Sequence, residues 1–225
     1  MKTLRLLIAA ALVILAAAAC KNNQKTAEPA AVEDDSPWAG IYDIETTAGT
    51  IRIGLYKDTP YHAENFAKLV REEYFNDILF HRVIAGFMIQ TGDPLTRDTL
   101  VELWGTGGPD YTIPAEILPE HRHIKGAVAA ARLGDFANPM KESSGSQFYI
   151  VLDERGCRHL DGAYSVFGET LEGLDVVDKI GATPTDPWDR PLSPVKIITV
   201  KKVEPVVEEA EGEEEETTDT NDNNE

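Results

Sequence analysis

Residues 78–93 read ILFHRVIAGFMIQTGD, and their pattern indicates how the chain folds. The apolar segments at residues 78–84 and 87–90 each predict a short β-strand. Arg82 and Gln90 interrupt these segments with polar side chains. Arginine and glutamine rarely lie inside buried strands, and the occurrence of this arginine together with Gln90 and Gln147 among apolar neighbours favours a functional role for them.

Six further segments have the alternating or continuous apolar pattern of strands. They lie at residues 41–46, 51–56, 126–131, 147–152, 166–169 and 195–203. One helix is predicted to begin with Thr59 as N-cap and Pro60 as first helical residue, and another to cover residues 174–180 and end at Gly181. Residues 95–115 are rich in Gly and Pro and predict a loop. Seven or eight short strands with only two helices lack the crossovers of a parallel sheet, so they indicate an antiparallel barrel or sandwich.

The 225 residues include 21 Lys or Arg and 39 Asp or Glu, and the resulting net charge of −18 is unevenly distributed. Residues 204–225 contain eleven acidic residues and no Lys or Arg, so we expect a disordered, solvated tail, with weak binding of cations or a basic partner as the alternative. Residues 38–203 carry 17 basic and 24 acidic groups, a net −7. A nucleic-acid-binding protein needs a basic surface, so we exclude nucleic acid as a partner.

The first twenty residues have the pattern of an export signal. Lys2 and Arg5 precede an apolar run of fourteen residues, which is shorter than the roughly 20 residues of a membrane span. Small residues directly before Cys20 resemble a bacterial lipobox, whereas an ordinary secretory signal with an incidental cysteine is the alternative. We predict a signal peptide at residues 1–19, then a lipidated Cys20 and a flexible tether up to residue 37. The protein would face the periplasm from the bacterial cell envelope, with Lys21 favouring the outer membrane.

Other kinds of chemistry have weaker support in the sequence. Cys157 and His159 could form a reactive pair, but a lone loop thiol is more often inert. With Cys20 lipidated, no intrachain disulfide is expected. His121 and His123 could bind a metal, but no third ligand has a suitable spacing, so we predict a solvent-facing loop and no metal site. No phosphate-loop or dinucleotide motif is present, and no cofactor is predicted.

A set of short motifs gives a more specific indication. They are FHRV at residues 80–83, FMIQTGD at 87–93, SGSQFYI at 144–150, LDG at 160–162 and VFG at 166–168. In these motifs the chain resembles the cyclophilin family of peptidyl-prolyl cis-trans isomerases over residues 41–203. The resemblance implies a mainly β fold with an eight-stranded closed antiparallel barrel capped by two α-helices. It also implies an enzyme that acts on proline-containing polypeptides without a cofactor, and we expect a monomer.

The resemblance assigns roles to individual residues. Arg82 corresponds to the catalytic arginine. The residues that match the proline pocket and its surroundings are Phe87, Met88, Tyr149 and Leu160 as apolar pocket, Gln90 and Gln147 as flanking polar contacts, Ala131 and Arg132 as the stretch that pairs with the substrate backbone, and Tyr164 at the rim. His159 stands where cyclosporin-sensitive members carry Trp, which implies weak binding of that drug. The loop at residues 132–144 is longer than in compact members.

The chemistry of the residues is consistent with these roles. Rotation about an X-Pro bond has a barrier of about 18–20 kcal/mol, and the twisted proline nitrogen becomes a hydrogen-bond acceptor. Arg82 is charged at any relevant pH and can donate to it. On composition alone, Phe87, Met88 and Leu160 fit a hydrophobic core better, and Arg82 could form a surface ion pair. Two functions therefore stay open: an isomerase for exported proteins, and a non-catalytic module that binds proline-containing segments in the envelope.

Overall fold

The computed structural model describes residues 36–204. The predicted signal peptide, Cys20, nearly all of the tether and the acidic tail after Glu204 lie outside the described residues. Within residues 36–204, no helix combines the length and the apolar character that crossing a membrane requires.

The chain begins with the predicted hairpin, in which β1 (Trp38–Thr46) pairs antiparallel with β2 (Gly49–Tyr56). Ile44 lies opposite Ile51, so the alternating apolar residues of both strands face the same core. The turn is fixed by the Thr46 hydroxyl, which accepts hydrogen bonds from the backbone N–H groups of Ala48 and Gly49. The hairpin prediction is therefore confirmed, with strands longer than expected.

Eight further strands follow. They are β3 (Arg82–Ile84), β4 (Met88–Thr91), β5 (Thr112–Ile113), β6 (Ala127–Ala130), β7 (Ser143–Ser144), β8 (Phe148–Val151), β9 (Val166–Glu172) and β10 (Ile197–Lys202). The two helices are α1 (Pro60–Arg71) and α2 (Leu174–Gly181). Short 3₁₀ segments occur at Pro94–Arg97, Val101–Leu103 and Arg158–Leu160. The predicted loop at residues 95–115 thus contains two 3₁₀ segments and β5.

Eight strands form one antiparallel sheet in the order β10-β1-β2-β9-β6-β8-β4-β3, and β5 pairs separately with β7. The prediction of a closed barrel is wrong, because the sheet curls but stays open, with β3 and β10 as its edges. The predicted strand at residues 78–84 is also too long, since only Arg82–Ile84 pair with β4. The segments that precede β3 and β10 are joined by an isolated β-bridge between Leu79 and Lys196, and not by a continuous run of paired residues.

Helix α1 packs its apolar face, including Phe66 and Leu69, into the main core on the inner face of the curled sheet. Thr59 occupies the N-cap position but its side chain makes no cap hydrogen bond. The Glu116 carboxylate caps the helix instead, because its two oxygens accept hydrogen bonds from the backbone N–H groups of Tyr61 and His62, each at 3.0 Å. A carboxylate is well suited to this position at the positive end of a helix.

Helix α2 ends at Gly181, as the sequence predicts. Gly181 is its last helical residue, and the C-cap is Ala182 in an ordinary right-handed conformation. A Cβ atom at Gly181 would lie 2.5 Å from the Leu152 side chain. The absence of a side chain at Gly181 thus leaves room for Leu152 to pack closely against the end of the helix.

Strands β4, β6 and β8 bury side chains on both of their faces. Ile89, Val128 and Ile150 belong to the main core, whereas Met88 and Tyr149 belong to a second, smaller apolar cluster on the opposite face. This explains why these strands read as nearly continuous apolar runs. The second cluster supports the floor of the candidate site.

Candidate active site

A groove of about 780 Å³ opens over the second apolar cluster. Nine of the residues selected from the sequence line it: Arg82, Phe87, Met88, Gln90, Ala131, Arg132, Tyr149, Leu160 and Tyr164. Gln147 lines an adjoining groove of about 530 Å³, which shares Gln90, Ala131 and Arg132 with the first. The volume of the first groove is typical of sites that enclose a small ligand or part of a peptide.

Strand register explains why the polar residues of the opening stretch reach this groove. Arg82 pairs with Gln90 across β3 and β4, and Gln90 pairs with Tyr149 across β4 and β8. Directly paired residues of antiparallel strands project to the same face, so the three side chains form one row. The next row, which contains Val83 and Ile89, points into the main core.

The guanidinium of Arg82 lies at the edge of the groove, with its side chain 44% exposed. Its Nε lies 3.6 Å from Oδ2 of Asp189, and the backbone carbonyl of Asp189 accepts from the N–H of Val83. Arg82 is therefore both a member of a surface ion pair and a groove residue. The ion pair with the loop that follows α2 orients the guanidinium while leaving N–H donors for a ligand.

Two glutamines join the groove to the loop beyond β4. The Gln90 Nε2 donates to Oε1 of Gln147 at 3.0 Å, and the Gln147 Nε2 donates to the carbonyls of Gly105 and Gly107. The amide group of Gln147 is thus engaged within the protein. Its position indicates that it holds Gln90 and the 105–107 loop in place, and the direct contact of Gln147 with substrate stays a prediction.

The apolar floor of the groove contains Phe87, Met88, Tyr149 and Leu160, with Tyr164 beside it. The Tyr149 and Tyr164 rings meet edge to face at 6.1 Å between centroids. Tyr149 is almost completely buried, and burial raises the pKa of its hydroxyl. Its hydroxyl lies near the His123 ring, which in turn contacts Asp161.

The prediction of a solvent-facing loop at His121 and His123 is wrong. His123 is buried beneath the groove, and burial lowers the pKa of its imidazole. The His121 ring stacks on Tyr56 at 3.9 Å between centroids and lies 2.7 Å from Asp58. Both rings have these aromatic and carboxylate partners, so the two histidines do not share one site.

Arg132 is anchored by the protein itself. Its Nε donates to the carbonyl of Ala163, its guanidinium lies 4.4 Å from the centre of the Tyr164 ring, and it pairs with Asp135 at 2.7 Å. Only 4% of its side chain is exposed. The side chain therefore shapes the groove wall, and pairing of Ala131 and Arg132 with a substrate backbone stays a prediction. The backbone N–H of Ala131 donates to the carbonyl of Gln147, and the carbonyl of Ala131 accepts from the backbone N–H of Ser144.

His159 lies outside this groove lining, on the 3₁₀ segment Arg158–Leu160. Its ring is tilted against Phe87, with 5.9 Å between centroids. The position is therefore next to the apolar floor. Cys157, two residues earlier, is buried against the carbonyl of Phe87.

Several groove residues were not selected from the sequence. Val101, Glu102, Trp104, Trp188 and Arg190 come from two irregular loops, and His81 from the segment before β3. The only available signal was that two of the three tryptophans stand in Gly- and Pro-rich loops. His81 is buried, and within residues 36–204 neither ring nitrogen has a hydrogen-bond partner. Burial lowers its pKa to about 4, although the Asp93 carboxylate and the Leu79 carbonyl oppose the shift.

The family model for "Cyclophilin type peptidyl-prolyl cis-trans isomerase/CLD" matches residues 41–202. The chain belongs to the cyclophilin family. It is a peptidyl-prolyl cis-trans isomerase, an activity that its curated relatives also carry in their names. The match covers every strand and helix described above apart from the first residues of β1.

Two relatives and one solved structure illustrate the similarity of this cyclophilin to others. It is 35% identical over 170 residues to human peptidyl-prolyl cis-trans isomerase-like 1, covering 75% of this chain and 96% of the relative. It is 38% identical over 141 residues to a Helicobacter pylori peptidyl-prolyl cis-trans isomerase, covering 61% and 77%. A cyclophilin-type isomerase from Cryptosporidium parvum superposes with a TM-score of 0.65 at 26% identity, covering 74% of this chain and 98% of the other.

Proposed function

We propose that this cyclophilin twists X-Pro bonds in the groove beside Arg82, with its guanidinium as the catalytic donor. In the twisted state the proline nitrogen loses amide conjugation and gains a lone pair that accepts a hydrogen bond. A guanidinium that is already oriented by Asp189 can donate to this nitrogen and to the adjacent carbonyl. The observation that carries the proposal is the row of Arg82 and Gln90 beside the apolar floor.

The reaction needs no covalent intermediate, because the enzyme only has to bind the twisted amide better than either planar form. A lowering of the barrier by about 7 kcal/mol corresponds to an acceleration of about 10⁵-fold. The apolar floor, formed by Phe87, Met88 and Leu160, would hold the proline ring. The peptide on the N-terminal side would then rotate, with its backbone near Ala131 and Arg132.

The substrates we propose are proline-containing segments of exported proteins. Support comes from the N-terminal pattern, in which a short apolar run is followed by small residues and Cys20. Lipidation of Cys20 would hold the isomerase at the periplasmic face of the envelope. Expression in a bacterial host, followed by mass spectrometry, tests this point: the lipid mass should be present in the native chain and absent after Cys20→Ser.

A protease-coupled assay with an Ala-Pro tetrapeptide tests the catalytic proposal. We expect acceleration of the cis-to-trans step that is unchanged by EDTA, because the proposed mechanism uses only a guanidinium and apolar contacts. Activity that disappears with EDTA would overturn this mechanism. Binding of the peptide without acceleration would instead identify the groove as a non-catalytic binding module.

A further inference from the structure

Two tryptophans line the groove on the side of Arg82. Trp104 ends the 3₁₀ segment Val101–Leu103, and Trp188 belongs to the loop between α2 and β10. The third tryptophan, Trp38, stacks on Tyr56 and is not among the groove residues. We refer to Trp104 and Trp188 as the tryptophan pair.

The loop that carries Trp188 is held by Asp186. Its Oδ1 accepts from the backbone N–H groups of Trp188 and Arg190, and its Oδ2 accepts from Nε of Arg190 at 2.8 Å. The Arg190 guanidinium lies 5.0 Å from the centre of the Trp188 ring. These contacts fix the backbone that carries the indole and its Arg190 neighbour, so the loop loses little conformational entropy when a ligand packs on Trp188.

The two loops are also joined to each other and to the catalytic arginine. Nη1 of Arg190 donates to the carbonyl of Val101 at 3.2 Å, and Asp189 pairs with Arg82. Nε1 of Trp104 donates to the carbonyl of Asp98, so the polar atom of this indole already has a partner. What Trp104 offers to the groove is therefore apolar ring surface.

Trp188 remains 71% exposed despite this support. Large aromatic rings on the wall of a binding groove are enriched at recognition surfaces. Rigid indoles bind apolar and aromatic side chains at low entropic cost.

We propose that the tryptophan pair is a specificity subsite for a large apolar or aromatic side chain that flanks the proline of the substrate. This inference rests on the proposed function, because it requires the substrate proline to lie in the groove beside Arg82. The subsite would favour proline-containing segments with exposed apolar residues, the kind that unfolded chains present.

Exchange spectroscopy by NMR tests the proposal with the full chain in mild detergent. The substrates are alanine-based peptides with one central proline, in which phenylalanine replaces alanine at each of the two positions before and after it. At one or more positions we expect phenylalanine to raise kcat/KM about tenfold over alanine. This ratio should fall to within about twofold in Trp104→Ala and Trp188→Ala, and Trp188→Phe should retain most of it.

Leu192→Ala is the matched control, because Leu192 is 66% exposed in the same loop but does not line the groove. The phenylalanine ratio should be unchanged in this variant. No phenylalanine preference at any position, or a preference that survives both tryptophan-to-alanine changes, would overturn the subsite. If the native chain fails to accelerate even the alanine peptide, the proposed function fails instead.

Indole N–H resonances provide a readout that does not depend on turnover. The chain has three tryptophans, and single substitutions assign their signals. Peptides with phenylalanine should shift the Trp104 and Trp188 signals more than alanine peptides do, while Trp38 serves as an internal reference. Equal shifts from both kinds of peptide would contradict the proposal.

Discussion

The hydroxyl of Tyr149 and Nε2 of His123 lie 3.1 Å apart beneath the groove. On its other side, Nδ1 of His123 lies 2.8 Å from Oδ1 of Asp161. A neutral imidazole satisfies both contacts when Nδ1–H donates to the carboxylate and Nε2 accepts from the tyrosine. Burial lowers the pKa of His123 and so favours this neutral form. The hydrogen bonds from Tyr149 through His123 to Asp161 thus fix the floor of the groove from beneath.

Replacing Tyr149 with Phe should destabilise the fold. The change leaves Nε2 of His123 buried without its hydroxyl donor, at a cost of about 1–3 kcal/mol in the free energy of unfolding. Denaturant unfolding measures the difference. Tyr61→Phe is the control, because that ring is exposed and should give no measurable change. Equal stability of the Tyr149 variant would show that the contact contributes nothing.

Replacing Arg82 with Ala should lower kcat/KM for an Ala-Pro peptide by about 10²–10³-fold, the effect typical of one charged transition-state donor. The fold should be retained, since an exposed ion pair such as the one with Asp189 contributes at most about 1 kcal/mol. Arg155→Ala is the matched control, because that arginine is 91% exposed and lies outside the groove lining. Turnover close to the native value in the Arg82 variant would exclude the guanidinium as the donor.

His81 should make the fold sensitive to acid. Burial lowers its pKa from 6.5 to about 4, so between these values the unfolded chain binds a proton that the folded chain does not. Stability therefore falls as the pH decreases from about 6.5 to about 4, by an amount on the order of 3 kcal/mol. Chemical denaturation across this range should show a smaller loss in His81→Asn than in the native chain. An unchanged pH dependence in this variant would contradict the assignment, and His159→Asn controls for removal of an exposed histidine.

Cyclosporin should inhibit the native chain weakly. His159 offers a smaller and more polar ring than tryptophan beside Phe87, at a cost of about 2–3 kcal/mol or some 30- to 150-fold in affinity. His159→Trp should recover part of this difference in the inhibition constant, measured at the same salt concentration. Peptide turnover measured alongside serves as the control for an intact groove. Nanomolar inhibition of the native chain would show that another residue replaces the indole.

The part of the site that lies on strands could be predicted from the sequence. Arg82 and Gln90 stand out as polar residues in apolar segments, and pairing of β3 with β4 brings them together. The predicted strand at residues 78–84 is too long because an apolar run indicates that residues are buried, but does not show that their backbone pairs continuously with a neighbouring strand. Ile78 and Phe80 are buried core residues, but their backbone bonds reach single residues near β10. Closure of a barrel depends on such long-range pairing, which no local pattern contains.

The loop residues could not be predicted for a different reason. Trp104 and Trp188 are distant in sequence but line one groove, where Arg190, itself held by Asp186, links the second loop to the first. The burial of His123 likewise depends on Asp161 and Tyr149, which come from other parts of the chain. Irregular segments have no periodicity from which the direction of a side chain can be deduced.

The buried thiol of Cys157 makes local opening of this protein measurable. Burial raises its pKa, so in the closed state it is both shielded and protonated, the two conditions that slow alkylation. In the chain with Cys20→Ser, Cys157 is the sole thiol. Each labelling event then reports one local opening of the segment that holds Cys157 against Phe87. The labelling rate, divided by that of a free thiol, gives the population of the open state. The natural thiol of Cys157 thus reports how often the floor of the groove opens, without an engineered probe.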